Sequence, residues 1–218
     1  MSRTRIGLFG GTFDPPHLGH LILASEAHFQ LNLTRLLWVL TPTPPHKLDQ
    51  AITPLVHRLA MVELAIAGNP AFELSRLELE RPGPHYTLDT VRQILDQDPS
   101  TDVILVIGSD SLSDLPGWHQ ASDLVSACHE IGVIRRPEPA EGRRPEPAEG
   151  RRPGDSADLS ELERALPGIS AKVRFVDAPL LEIASSEIRS RAAHAEPFRY
   201  YVSPPVYKYI LKNRLYKS

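Results

Sequence analysis

The chain has 218 residues, with 24 Lys and Arg against 27 Asp and Glu, for a formal net charge of −3. That length suits one α/β domain spanning residues 1–218, and the weakly negative charge leaves no basic footprint for nucleic acid. The longest apolar runs are far too short to span a bilayer, no apolar signal segment follows Met-Ser-Arg-Thr-Arg, and the lone Cys128 excludes a disulfide framework, so a cytoplasmic protein is expected.

The first element says the most. An apolar run at residues 6–9 enters Gly10-Gly11, read as a tight glycine turn. Thr12-Phe13-Asp14-Pro15-Pro16 then leads to His17 and His20, at the opening of an apolar-periodic helix that reaches Leu31. Strand, glycine turn and helix start, in that order, let backbone N–H groups approach a phosphate, with the positive end of the helix dipole behind them. Histidines three apart share one face of a helical turn and reach one anion together. The pattern is neither a Walker loop nor the dinucleotide fingerprint. A structural turn carrying two surface histidines is the plainer alternative.

A strand at 36–40 follows, then Pro44-Pro45-His46-Lys47, a stiff loop that offers the Lys47 ammonium either to a phosphate or to solvent. A helix is predicted over 53–67, with Thr53 as N-cap, Pro54 as first helical residue and Gly68-Asn69 as stop. A strand at 72–79 precedes a helix at 88–95 capped by Thr87. The strand at 103–107 ends in Gly108-Ser109-Asp110, where glycine permits close ligand approach and Asp110 either receives ribose hydroxyls or caps a helix. Trp118 follows on a loop, placed either to stack on a planar ring or to pack in the core.

Strands at 130–134 and 173–176 flank an internal repeat. Residues 135–142 read Arg-Arg-Pro-Glu-Pro-Ala-Glu-Gly, residues 143–150 repeat them unchanged, and 151–154 begin a third copy. So polar a segment cannot offset its ordering entropy by burial, and a low-complexity loop insertion at about 135–154 is predicted. Ser185-Ser186-Glu187-Ile188-Arg189 reads as a helix start whose hydroxyls and N–H groups face an anion, with Arg189 brought to the side of Ser186; alone, it also fits an ordinary capped helix. Ser203 before Pro204-Pro205 opens the last helix. This alternation predicts an α/β, doubly wound, Rossmann-like parallel sheet with helices on both faces and ligands at the carboxyl ends of its strands.

Residues 10–20, Gly-Gly-Thr-Phe-Asp-Pro-Pro-His-Leu-Gly-His, resemble the signature of the nucleotidylyltransferase superfamily. The segment from Ile183 to Arg189 resembles its second motif, Ile-Ser-Ser-Thr-x-x-Arg, with Ala184 and Ser186 in place of the Ser and Thr. Pro-Pro-His-Lys47, Tyr86-Thr87 and Pro-x-Trp118 narrow the resemblance to the bacterial nicotinate mononucleotide adenylyltransferases. The resemblance implies transfer of the adenylyl group of ATP to nicotinate mononucleotide, giving deamido-NAD and pyrophosphate in NAD biosynthesis. Another superfamily nucleotidylyltransferase, or a non-catalytic nucleotide sensor, is the alternative. By the same resemblance Gly10, Gly11, Thr12, Phe13, His17, His20, Gly108, Ser185, Ser186 and Arg189 hold ATP, with His17, His20 and Arg189 catalytic. Lys47, Thr87, Asp110 and Trp118 hold the pyridine nucleotide. Few carboxylates lie in the motifs, which suits Mg²⁺ bound mainly through ATP phosphates rather than by the protein. No nucleic acid or membrane partner is expected, and a homo-oligomer is left open. The repeat inherits no role.

Overall fold

Leu-, Ile- and Val-rich runs buried on both faces form one six-stranded parallel sheet, the arrangement such continuous apolar strands require. The computed structural model describes residues 3–42, 52–135, 159–179 and 181–217. Its strands are β1 (Arg5–Gly11), β2 (Arg35–Leu40), β3 (Phe72–Ser75), β4 (Asp102–Gly108), β5 (Glu130–Arg135) and β6 (Val173–Asp177). Its helices are α1 (Leu18–Gln30), α2 (Leu55–Ile66), α3 (Thr87–Gln97), α4 (Ser109–Asp114), α5 (Ala121–Ala127), α6 (Leu159–Ala165), α7 (Ile169–Lys172), α8 (Ser185–Ala193) and α9 (Pro204–Lys212). The strand order is β3-β2-β1-β4-β5-β6, so the chain reverses direction across the sheet between β1 and β4. A crevice outside the carboxyl ends of those two strands is where such a sheet binds its ligand.

Alternation along each strand divides the core. Leu8, Leu37, Val39, Val103, Leu105 and Ile131 meet Leu88, Val91 and Ile94 of α3 and Leu124 of α5 on one face. Phe9, Leu36, Trp38, Leu40, Ile104 and Val106 meet Ala24 and Ala27 of α1 and Val62 and Ile66 of α2 on the other. Helices therefore cover both faces, as the alternating pattern predicts. Trp38 and Leu36 are wholly buried; each such side chain stabilises by ~1.5–3 kcal/mol. A third cluster joins Met61 of α2, Ile188 and Ala192 of α8, and Val206 and Ile210 of α9, fastening the C-terminal helices beside the carboxyl end of the sheet.

Several boundaries differ from the sequence reading. Gly10 and Gly11 are not a turn: they finish β1, in register with Val39 and Leu40, and the chain turns only beyond them. Strand β3 stops at Ser75 rather than 79, because Ser75 Oγ accepts the Leu77 N–H and the Arg76 carbonyl accepts those of Leu79 and Glu80. Pro54, not Thr53, is the N-cap of α2, and Tyr86, not Thr87, is that of α3. The α2 stop is as read, with Gly68 at φ +93°, which glycine adopts without steric cost. Ser203 does stand at the N-cap of α9, but its buried hydroxyl makes no capping bond. Apart from Arg135, which lies 3.9 Å above the Phe175 ring, the repeat falls outside the described residues, as does Lys47.

Candidate active site

The loop from β1 to α1 is built around Asp14. Phe13, at φ +48°, turns the chain there, and its ring is buried at 5.7 Å from Phe9 and 5.0 Å from Trp38. A non-glycine residue in that region costs roughly 1 kcal/mol or more, which the ring's burial offsets. Asp14 is 4% exposed. Its Oδ1 accepts the Tyr216 hydroxyl at 2.8 Å, its Oδ2 accepts the Thr53 N–H at 3.0 Å, and its carbonyl accepts Arg189 Nη1 at 2.8 Å. Thr53 is thus drawn away from the cap position by this carboxylate. Arg58, 2% exposed, fixes the neighbouring backbone by donating to the carbonyls of Thr12, Thr41, Pro42 and Thr53. Burial lowers the guanidinium pKa, opposed by the nearby Asp14 carboxylate.

His17 and His20 are parts of a helix cap. His17 is the N-cap of α1, and its Nδ1 accepts the His20 N–H at 3.3 Å, while His20 Nδ1 accepts the His17 N–H at 3.2 Å. This is a capping box made of imidazoles. The rings stack with centroids 3.7 Å apart, and the edge of His20 meets Phe13 at 5.1 Å. Gly19 makes room for the pair, since a Cβ there would come within 3.0 Å of the His17 ring. Because each Nδ1 accepts, the neutral form of each ring carries its proton on Nε2, and both Nε2–H groups turn away from the backbone they cap. Burial, with His17 beside it, pushes the His20 pKa well below its ordinary value, so His20 is a neutral donor at physiological pH.

Helix α8 meets this loop directly. Ser185 Oγ donates to the Pro15 carbonyl at 2.8 Å, as Arg189 does to Asp14, so the two sequence motifs, 170 residues apart, share one wall. Ser185 and Ser186 are the first two helical residues, and Ala184 occupies the N-cap without any side-chain bond. Gly10 and Gly108, at the ends of the paired strands β1 and β4, face open space where a Cβ would stand. By the strand register the two openings lie on opposite faces of the sheet.

The remaining candidates form a second group. Tyr86 stacks on His119 at 3.8 Å, which brings the loop of Trp118 against the start of α3, where Thr87 lies. Trp118 ends a 3₁₀ turn (Leu115–Gly117) and is half-buried against the core. It packs against the core, one of the two readings offered by the sequence, and remains partly accessible. Asp110 is exposed in the first turn of α4. Among the described residues no three His, Cys, Asp or Glu gather into a metal-binding set, and both oxygens of Asp14 are already engaged. Burial pushes the Cys128 thiol up to about 12, which leaves it chemically inert. No described helix is long and apolar enough to cross a membrane.

Asp14 and Tyr216 are the residues to which the sequence gave no role of their own. Asp14 lay within the first motif, a detectable signal; Tyr216 gave none.

Comparison with known proteins agrees with this geometry. The model of the cytidylyltransferase-like family matches residues 8–191. The probable nicotinate-nucleotide adenylyltransferase of Thermomicrobium roseum is 38% identical over 99% of this chain and 92% of its own length. That of Roseiflexus castenholzii is 38% identical over the whole of both. The nicotinic acid mononucleotide adenylyltransferase of Plasmodium falciparum, solved in complex with NaAD, superposes with a TM-score of 0.71 at 22% identity, over 98% of this chain and 97% of its own, which attests the shared fold.

Proposed function

We infer the reaction from family membership: the chain belongs to the cytidylyltransferase-like family and, within it, to the nicotinate-nucleotide adenylyltransferases. It transfers the adenylyl group of ATP to nicotinate mononucleotide, releasing pyrophosphate and nicotinate adenine dinucleotide, a step of NAD biosynthesis. The observation that best supports this reading is the convergence of the imidazole pair and Arg189 on one loop at the β1–β4 switch point.

The acceptor needs little activation. A phosphate monoester with a second pKa near ~6 is already largely dianionic at neutral pH, so no general base is required. What remains is to align two anions and to stabilise charge on the α-phosphoryl group and the departing pyrophosphate, which is positioning and electrostatics. The Nε2–H groups of His17 and His20 supply two fixed donors there. Arg189 commits one guanidinium nitrogen to Asp14 and offers the rest of its donors to phosphate oxygens. Ser186 and the exposed N–H groups at the start of α8 add a helix N-terminus. Gly10, Gly11, Thr12 and Gly108 form the floor on which ATP lies.

Thr87, Asp110, Trp118 and Lys47 are assigned to the pyridine nucleotide, with Trp118 stacking on its ring. Mg²⁺ bound to the ATP phosphates would neutralise their charge. Use of ATP as a substrate fits a cytoplasmic setting. Pyrophosphate release from ATP, compared with nicotinate and nicotinamide mononucleotides as acceptors, tests the reading. Release should be faster with the acid, and no release with either acceptor would refute it.

A further inference from the structure

The C-terminal segment reaches the loop that carries the histidines. Helix α9 ends at Lys212, and the chain then folds back through two residues of positive φ, Arg214 at 51° and Tyr216 at 66°. The Leu215 N–H returns to the Ile210 carbonyl at 3.0 Å, and Asn213 Nδ2 bonds the Tyr209 carbonyl at 2.9 Å, so the fold-back is anchored on its own helix. It delivers the Tyr216 ring to the cluster of Met61, Ile188 and Ile210, with its hydroxyl 3.9 Å from Met61 Sδ and 2.8 Å from Asp14 Oδ1. Left-handed residues other than glycine persist only where surrounding structure holds them. Burial and the facing Asp14 carboxylate both raise the phenol pKa, so the hydroxyl keeps its proton and always donates.

The tail, α2's approach through Thr53, and α8 through Arg189 all converge on Asp14. Two of these bonds hold its carboxylate and the third holds its carbonyl. A change in the carboxylate's position therefore moves the carbonyl that aims Arg189, and the chain three residues before His17. We propose that Tyr216 is a positioning residue for ATP: through Asp14 it sets the geometry of the His17–His20 pair and of Arg189. The proposal rests on the reading that this loop holds the triphosphate, and it assigns the end of the chain a part in substrate binding.

The test is Tyr216→Phe in the full chain, which keeps the ring and removes only the hydroxyl. The expected result is a rise of tenfold or more in KM for ATP, with KM for nicotinate mononucleotide within twofold of the parent. A purely structural role would lower the melting temperature and the active fraction while leaving both KM values alone, and that outcome overturns the proposal. Met61→Leu serves as the packing control and should leave KM for ATP unchanged. If the Phe variant does not fold, hydrogen exchange on the wild-type chain decides. A non-hydrolysable analogue with carbon bridging the α and β phosphorus atoms should slow exchange at residues 214–217 as well as at 12–20, and protection confined to 12–20 overturns it. His20→Ala separates the two levels. If it leaves ATP turnover intact, the triphosphate reading has failed; if it is impaired while Tyr216→Phe is not, only the positioning role falls.

Discussion

Replacing His20 by Asn and by Ala separates two functions that the structure gives one imidazole. Its Nδ1 caps α1 by accepting the His17 N–H, and its Nε2–H is the donor assigned to the reacting phosphates. Asn places a carbonyl oxygen near the position of Nδ1 and nothing near that of Nε2, so the cap survives and the donor does not. Ala removes both. Loss of one preorganised donor to developing charge typically lowers kcat by 10²–10³, or ~2.7–4 kcal/mol; both variants should fall in that range, with KM for ATP moving much less. Their stabilities should differ. Both variants lose the ring contacts to Phe13 and His17, and Ala alone also forfeits a cap bond of ~1 kcal/mol. For a chain of this size each 1 kcal/mol shifts the melting temperature by ~2–4 °C, so His20→Ala should melt ~2–4 °C below His20→Asn. Steady-state pyrophosphate release and calorimetry supply the two readouts. An Asn variant with more than half the parental kcat would remove Nε2 from the mechanism, and equal melting temperatures would remove Nδ1 from the cap.

Other expectations follow from the same geometry. Trp118→Ala should weaken nicotinate mononucleotide binding by ~1–3 kcal/mol, the magnitude of stacking on an aromatic side chain, with ATP affinity nearly unchanged in calorimetric titration; equal loss for both substrates would show that the ring serves only as packing. Ala184→Ser supplies the missing N-cap of α8 at a position whose φ of −120° and ψ of 141° already suit one, and should stabilise by ~1 kcal/mol in urea unfolding. A lowered His20 pKa means that the unfolded chain takes up a proton before the folded one does. Stability should therefore be full above the unfolded histidine value of ~6.5 and decline as pH falls from there toward the folded pKa. Urea midpoints measured across that range should show a steeper decline for the parent than for His20→Asn.

The elements were legible because burial on both sheet faces writes continuous apolar runs, and because Gly68 and the proline pairs punctuate the helices by conformational rules that act locally. The two phosphate motifs were legible as well, and the structure joins them through Ser185 and Arg189. What sequence reasoning misplaced was decided by partners far along the chain. Thr53 looks like an N-cap until the Asp14 carboxylate, 39 residues away, claims its N–H. Gly10-Gly11 looks like a turn until β2 pairs with it and moves the turn onto Phe13, whose positive φ is held by aromatic neighbours from β1 and β2. The His-x-x-His spacing correctly indicated a shared face. The reciprocal cap was not foreseen because Ser, Thr and Asp at the first position, with Glu or Gln at the fourth, are the usual signature.

The imidazole cap also bears on why two histidines would suit the proposed triphosphate site, rather than the lysine or arginine that usually meets a triphosphate. A cationic side chain carries donors only, so it could not accept a backbone N–H and would have to leave α1 uncapped or stand away from its start. Neutral imidazole accepts at one nitrogen and donates at the other, so the same ring caps the helix and still has a donor for the proposed triphosphate. The arrangement requires neutrality, because a proton on Nδ1 would oppose the N–H that it now accepts. Burial against Phe13, with His17 stacked alongside, disfavours that proton on His20. Charge at the site is then supplied by Arg189, whose guanidinium is tied to the carbonyl of Asp14, while the cap keeps the donors fixed in direction before any ligand arrives.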